Sequence, residues 1–151
     1  MRALIQRVKE ASVSVDGSVK NEIGKGMLIL LGIKNGDTIQ SAEYLAQRCA
    51  NLRIFSDENN NMNLSVKDVV GSALVISQFT LYADTRKGNR PSFTGSAPAE
   101  IAEPLYNEFV KFLSNEIGSE KVKTGVFRAM MDIHLVNDGP VTVTVESKKI
   151  A

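Results

Sequence analysis

Two short peptides carry the side chains and backbone features best suited to a functional site. Ser77-Gln78-Phe79-Thr80-Leu81 places two hydroxyls, a carboxamide and an aromatic ring at the end of an apolar, β-rich run, just before a long irregular stretch. Strand ends beside loops are favoured positions for sites, although a plain strand terminus satisfies the same pattern. Asn137-Asp138-Gly139-Pro140 sets a polar turn-forming pair, a permissive glycine and a φ-locked proline between two further β-rich runs. It reads either as a simple turn or as something more specific. A Gly-Pro bond adopts the cis form at modest cost, and a cis bond here would aim two neighbouring carbonyl oxygens the same way, as a rigid acceptor pair for an ammonium group.

The remaining reactive side chains do not assemble into an alternative. His134 lies on the polar side of the alternating run Asp132-Ile133-His134-Leu135 and is expected to be a half-exposed structural histidine rather than a general base. Cys49 falls on an apolar helical stripe and is expected in the core. A Cys-His hydrolase would need both, yet they come from unrelated segments with no supporting motif. One cysteine and one histidine are also too few for a structural zinc site, and no glycine-rich phosphate loop is present, so no metal or other cofactor is expected.

Bulk properties narrow the partners. Eighteen basic against seventeen acidic residues leave a net charge of +1, too small for a chain that grips a long run of phosphates, so any nucleic-acid contact should be small and local. Within that limit, Arg86, Lys87 and Arg90 form a basic cluster in a Gly/Pro-containing segment, and Lys148 with Lys149 offers a second patch; both read equally well as solvated charge. A lone cysteine excludes an internal disulfide and suits a reducing cytoplasm. Charge interrupts the first residues before a signal-peptide core can develop, and the most apolar run, Met27 to Ile33, is far shorter than the roughly 20 residues that cross a bilayer.

The elements that must position these residues follow from periodicity. Leu4 to Val8, Ser12 to Asp16 and Val19 to Ile23 read as short strands of an opening meander, with Asp16-Gly17 as a tight turn, and Met27 to Ile33 reads as a fully buried strand. Asp37 or Thr38 caps a helix of about 14 residues whose stripe runs through Ala42, Leu45, Ala46, Cys49 and Leu52. Arg53 to Ser56 and Ala73 to Leu81 are further strand expectations, with the first peptide closing the second of them. A second amphipathic helix carries Ile101, Leu105, Phe109, Leu113 and Ile117, with Pro98 or Pro104 marking its start. Lys121 to Phe127, Ala129 to Val136 and Val141 to Glu146 complete the chain as three strands, the last two separated by the Asn137–Pro140 turn. No repeat or linker interrupts this order. It predicts a single α/β domain over residues 1–151, of mixed, largely antiparallel, barrel-like β layers with two amphipathic helices packed on one side.

Together, Ser77-Gln78-Phe79-Thr80-Leu81 and Asn137-Asp138-Gly139-Pro140-Val141-Thr142 resemble the paired signatures of the D-aminoacyl-tRNA deacylase family. The opening Gln6-Arg7-Val8, the Gly17 turn, the basic segment and the second helix also follow the family order, so the resemblance spans essentially the whole chain. It implies hydrolysis of the ester at the 3′ end of D-aminoacyl-tRNA by a homodimer, with no membrane or DNA partner. It further implies that Gly139-Pro140 is cis and reaches into the partner's pocket. There its carbonyls would hold the substrate's α-ammonium, so that an L side chain collides with backbone. Arg7 would brace that element; Ser77, Gln78, Phe79 and Thr80 would face the ester; Phe127 and Met131 would shape the wall near the terminal adenosine, unless they are simply core. Glycine, having no side chain to clash, would pass the same filter, so glycine mischarged on the tRNA for alanine is an expected second substrate.

An aminoacyl ester is already activated, so what remains is to place an attacking oxygen and stabilise an oxyanion. The backbone amides of Phe79 and Thr80 are the expected donors. The Thr80 hydroxyl has no sequence-adjacent base to activate it, which favours water as the attacking group, assisted, as the resemblance implies, by the 2′-hydroxyl of the terminal ribose. Two rivals stand beside this reading: a non-catalytic RNA-binding or protein-interaction module, and a related editing enzyme that prefers another misacylated tRNA.

Overall fold

A computed structural model of the chain describes residues 1–148; Lys149 of the second basic patch lies outside them. One long sheet dominates. Strand β1 (Arg2–Val15) runs antiparallel to β2 (Ser18–Ile23) with its second half and to β3 (Gly26–Gly32) with its first, and the 15-residue β8 (Asp132–Glu146) lies along its other edge. Beyond β3 the sheet continues in parallel through β6 (Ser72–Ser77) to β7 (Val122–Thr124). Asn21 Nδ2 donates to the Thr124 carbonyl at 2.6 Å, drawing β2 toward β7 and curling the sheet into a nearly closed barrel. A separate two-stranded ribbon pairs β4 (Phe55–Ser56) with β5 (Met62–Leu64).

The two helices share one face, as expected. Helix α1 (Ile39–Asn51) is capped by Thr38, whose Oγ1 accepts from Ser41 N at 3.3 Å while Ser41 Oγ accepts from Thr38 N at 3.0 Å. Asp37 instead ties down the chain start, accepting from the Met1 ammonium at 2.6 Å and from Lys34 N at 2.8 Å. Helix α2 (Ala99–Ile117) begins after Pro98, and Pro104 lies inside it rather than at its start. Pro104 sits on the exposed side, where water can take the carbonyl that its missing N–H leaves unpaired. Ile101 is also exposed; the buried face consists of Ala102, Leu105, Tyr106, Phe109 and Leu113.

Alternation along β3 divides the interior in two. Met27, Ile29 and Leu31 face the helices and join Ala3, Ile5, Leu45, Phe55 and Phe109, whereas Leu28 packs on the opposite face with Val8, Ala11, Val13, Leu74 and Ile76. Regular alternation breaks in two places: in β1, Val8 and Ala11, an odd number of residues apart, both lie on the second cluster, and in β8, Leu135 and Val141, an even number apart, lie on opposite clusters, the second and the first. Both changes come from irregular pairing. Lys9 is an extra residue between Val8↔Asn137 and Glu10↔Val136, and five β8 steps oppose two β1 steps between Val8↔Asn137 and Gln6↔Thr142. An odd mismatch turns each strand over.

Several expectations need correction here. The two opening strands are one, because β1 keeps pairing with β8 through its charged Lys9-Glu10 step. The two last strands are likewise one: Asn137–Pro140 does not turn the chain back but bulges out of β8, since both flanks stay paired to β1. The run Lys121–Phe127 is strand only over Val122–Thr124, and Arg53–Ser56 only over Phe55–Ser56. The strand expected over Ala73–Leu81 stops at Ser77, where its ladder with β3 ends, and the chain tightens into a 3-10 turn over Phe79–Tyr82.

Candidate active site

Ser77 stands at the carboxyl end of β6, a strand buried from Ala73 to Ile76 between two parallel neighbours. Such a strand is held on both edges and both faces, so the residue that leaves it is accurately aimed only if the exit is also fixed. It is fixed by several contacts. Gln78 N donates to the Leu31 carbonyl at 2.8 Å, and Gly32 lets the turn close down: a Cβ there would lie 3.0 Å from Leu81 Cβ and 3.1 Å from the Gln78 carbonyl oxygen. Arg2 then holds the far end, donating to the Leu81 carbonyl at 2.7 Å and lying 4.8 Å over the Tyr82 ring.

This exit turns the peptide into a donor platform. Phe79 and Thr80 are the first residues of the 3-10 turn, whose ladder offers their N–H groups no acceptor. The Gln78 carboxamide donates a close hydrogen bond to Thr80 Oγ1. No carboxylate or imidazole bonds to that hydroxyl among the described residues. Phe79 is exposed and meets Phe93 edge-on at 5.1 Å between ring centroids, while Ser96 Oγ donates to its carbonyl at 2.9 Å. The basic segment is thereby tied to the peptide it overhangs.

A cleft of about 700 Å³ opens at this strand end. Ser77, Gln78 and Phe79 form one wall, the start of α2 forms another, and Phe127, Arg128 and Met131 close the third. Tyr106 secures α2 by donating its hydroxyl to the Val75 carbonyl at 2.7 Å, and burial raises its phenol above the ordinary range. Phe127 packs against Tyr106 at 5.6 Å, so it is both wall and packing. Met131 crosses the second cluster into the cleft, and Gly125 admits it: a Cβ there would stand 2.7 Å from Met131 Sδ.

The second peptide lies elsewhere. Gly139-Pro140 is a cis peptide, exposed, on the bulge of β8, and neither residue lines the cleft. Arg7 sits opposite that bulge with its side chain only 12% exposed. Its Nε donates to the Asp138 carbonyl at 3.0 Å and one terminal nitrogen to the Ile54 carbonyl at 2.8 Å, with the Asp138 carboxylate 3.5 Å away. Asn137 completes the frame by accepting from Val141 N at 3.0 Å. Gly139 has φ +137°, and an added Cβ would meet Val141 Cγ2 at 2.9 Å and the Arg7 guanidinium at 3.2 Å, so only glycine fits.

Within one chain, then, Ser77, Gln78, Phe79, Phe127 and Met131 come together, Thr80 lies just outside the cleft wall, and Arg7, Gly139 and Pro140 form a separate outward-facing unit. Arg86, Lys87 and Arg90 are exposed; Arg86 binds Asp84 with both carboxylate oxygens, at 2.9 and 2.7 Å, and holds that carboxyl down at about 2. His134 is more exposed than expected, with Glu10 3.6 Å from its Nε2. Cys49 is fully buried in the first cluster, and desolvation pushes its thiol up to about 12. Among the described residues no three His, Cys, Asp or Glu side chains converge, and no helix is long and apolar enough to cross a membrane.

Sequence reasoning missed Arg128 and the start of α2 as parts of the cleft. The signal for Arg128 was its place between two apolar alternating runs, a charged residue at the joint of two expected strands.

Comparison with known proteins bears on the whole chain. The family model described as D-Tyr-tRNA(Tyr) deacylase matches residues 4–146. A D-aminoacyl-tRNA deacylase of Halothermothrix orenii is 53% identical over 149 residues, covering 99% of both chains. Another, of Desulfatibacillum aliphaticivorans, is 55% identical over 148 residues, covering 98% of this chain and 100% of the relative. Among solved structures, one described as c-Myc DNA Unwinding Element Binding Protein superposes with a TM-score of 0.94 at 42% identity, covering 98% of this chain and 99% of the other. One described as a probable eukaryotic D-amino acid tRNA deacylase shares the fold alone, with a TM-score of 0.82 at 15% identity over 96% of this chain and 98% of the other.

Proposed function

The chain belongs to the D-Tyr-tRNA(Tyr) deacylase family, whose members hydrolyse the ester joining a D-amino acid to tRNA, and we propose that it performs this reaction in sites shared between two subunits. The observation that carries the shared site is the separation of the two peptides. The donor platform and cleft occupy one place, and Gly139-Pro140, framed by Arg7 and Asn137, projects from another. A homodimer that seats this projection in the partner's cleft joins them with isologous symmetry, giving two equivalent sites.

In that site the carbonyls of the projecting element accept the substrate's α-ammonium. The ester carbonyl lies against the N–H groups of Phe79 and Thr80, which stabilise the oxyanion as water attacks. The tetrahedral intermediate then expels the ribose oxygen, which takes a proton, leaving free D-amino acid and tRNA. Attack by water rather than by Thr80 is supported by the surroundings of its hydroxyl, which accepts from the Gln78 carboxamide and has no base bonded to it among the described residues. The 2′-hydroxyl of the terminal ribose orients the water instead. Phe127 and Met131 face the terminal adenosine. An L side chain would point into the projecting backbone and be excluded, whereas glycine would fit, which extends the substrates to glycine mischarged on the tRNA for alanine. Exposed Lys87 and Arg90 meet phosphates near the acceptor end, with Arg86 largely committed to Asp84. The enzyme needs no cofactor and works on tRNA in the cytoplasm. With a net charge of +1 and its basic side chains in small groups, no DNA partner is proposed.

A release assay on tRNA charged with D- and L-tyrosine tests the reading. The D ester is cleaved and the L ester spared; equal cleavage removes the chiral filter, and binding without cleavage of either makes the chain a tRNA-binding module.

A further inference from the structure

The third wall of the cleft contains a cation that the hydrolysis scheme above does not use. Arg128 lies between Phe127 and Met131, in the connection from β7 to β8, and lines the same cleft as Ser77, Gln78 and Phe79. Its backbone is left-handed, with φ +69°, a conformation that a non-glycine residue adopts only when its surroundings impose it. The side chain is 65% exposed. Its ion contact is Glu100 in the first turn of α2, at 3.9 Å and itself 78% exposed, too long for a hydrogen bond. Among the described residues, all five N–H donors of the guanidinium fork therefore stand free of hydrogen bonds at the rim of the cleft, apart from that loose pairing.

We infer that Arg128 is a positioning residue that binds the phosphodiester on the 5′ side of the substrate's terminal nucleoside. This rests on the function proposed above. With the ester against Phe79 and Thr80 and the adenosine along Phe127 and Met131, the strand is inferred to leave the cleft past Arg128, which lines it together with both apolar residues. The planar fork of arginine matches two phosphate oxygens at once, which a lone lysine ammonium cannot do, and exchanging a 3.9 Å approach to an exposed carboxylate for such a pair costs little. Holding that phosphate fixes how far the strand enters, and hence where the ester carbon stops.

The test compares D-tyrosine esters of adenosine, of adenosine 5′-monophosphate and of full tRNA, with wild type, Arg128→Ala, Arg128→Gly and Arg128→Lys. The glycine variant suits the left-handed backbone, so it removes the charge while keeping the loop. Both truncations should raise KM about 5- to 20-fold on the two phosphate-bearing substrates with little change in kcat, and should make no such difference on the adenosine ester. Lysine should recover part of the loss, and Glu100→Gln should change KM little, because the guanidinium is only loosely paired with that carboxylate. A second readout is independent of hydrolysis: affinity for uncharged RNA ending in adenosine should fall in the truncations, and its dependence on log salt should flatten by about 0.7. Equal losses with and without the phosphate, or unchanged KM and RNA affinity in both truncations, would overturn the inference. Failure of wild type to cleave any D ester would count against the proposed function, while the RNA-affinity comparison would still judge Arg128.

Discussion

Replacing Arg7 probes how the projecting peptide is held. Its side chain, 12% exposed, makes two charge-assisted bonds to carbonyls, to Asp138 at 3.0 Å and to Ile54 at 2.8 Å, joining the β8 bulge to the segment that follows α1. Hydrogen bonds to charged groups contribute about 1.5–3 kcal/mol each, and water entering at the rim recovers part of that in Arg7→Ala, leaving a net loss of about 2–4 kcal/mol. The nearby Asp138 carboxylate, 3.5 Å away and about a third exposed, adds little to this sum. For a chain of this size about 2–4 °C accompany each kcal/mol, so the melting temperature should fall by roughly 5–15 °C at fixed protein concentration. Activity should fall further than stability explains. A displacement of the bulge by about 1 Å is enough for a 100-fold drop in kcat/KM on D-tyrosyl-tRNA, measured at a temperature where the variant remains folded. Arg7→Lys reaches one carbonyl at a time and should restore about half of the stability and less of the activity. A folded Arg7→Ala protein that loses less than about 0.5 kcal/mol and cleaves the D ester normally would refute the bracing role.

Other outcomes follow from the same geometry. Thr80→Ala should retain most activity, whereas a substrate with a 2′-deoxy terminal ribose should be inert; the reverse pair of results would indicate a threonyl-ester intermediate. Lys87→Ala with Arg90→Ala should raise KM and flatten its salt dependence by about 0.7 for each phosphate no longer bound, while Arg86→Ala, already neutralised by Asp84, should change the slope less. Cys49 should resist thiol reagents in the native protein up to pH 9. Its folded-state value, pushed to about 12, keeps the thiol protonated throughout that range, and thiolate forms only as the pH approaches that value or as the chain unfolds. Rapid labelling at pH 8 with retained structure would contradict its placement.

Much of this arrangement was legible in the amino-acid sequence, and the parts that were not share a cause. Helix α1 and its Thr38 cap, the buried run in β3 and the apolar face of α2 from Leu105 to Leu113 follow from periodicity, which burial enforces locally. The continuity of β1 through Lys9-Glu10 and of β8 through Asp138–Pro140 does not, because pairing between distant segments overrides residues that locally signal a break. The same pairing made the turn expected between two strands an exposed bulge within one. At Phe79 the sequence continues in strand-like fashion, and only the end of the β3 ladder and the close approach permitted by Gly32 reveal the 3-10 turn. Both candidate peptides were visible as chemistry, but their separation within one chain, on which the proposed shared site depends, is a property of the fold.

That shared site is tested most directly by mixing two disabled proteins. A Phe79→Pro chain should lose a backbone donor to the oxyanion, and with it about 100- to 1,000-fold in kcat, but keep its projecting peptide, and a Gly139→Trp chain should lack the peptide but keep its cleft. After subunit exchange at equal concentrations, about half the dimers are mixed and each has one intact site, so activity on D-tyrosyl-tRNA should return to about a quarter of wild type. If the mixture stays as inactive as either parent while exchange is shown to be complete, the two peptides act within one subunit and the account fails.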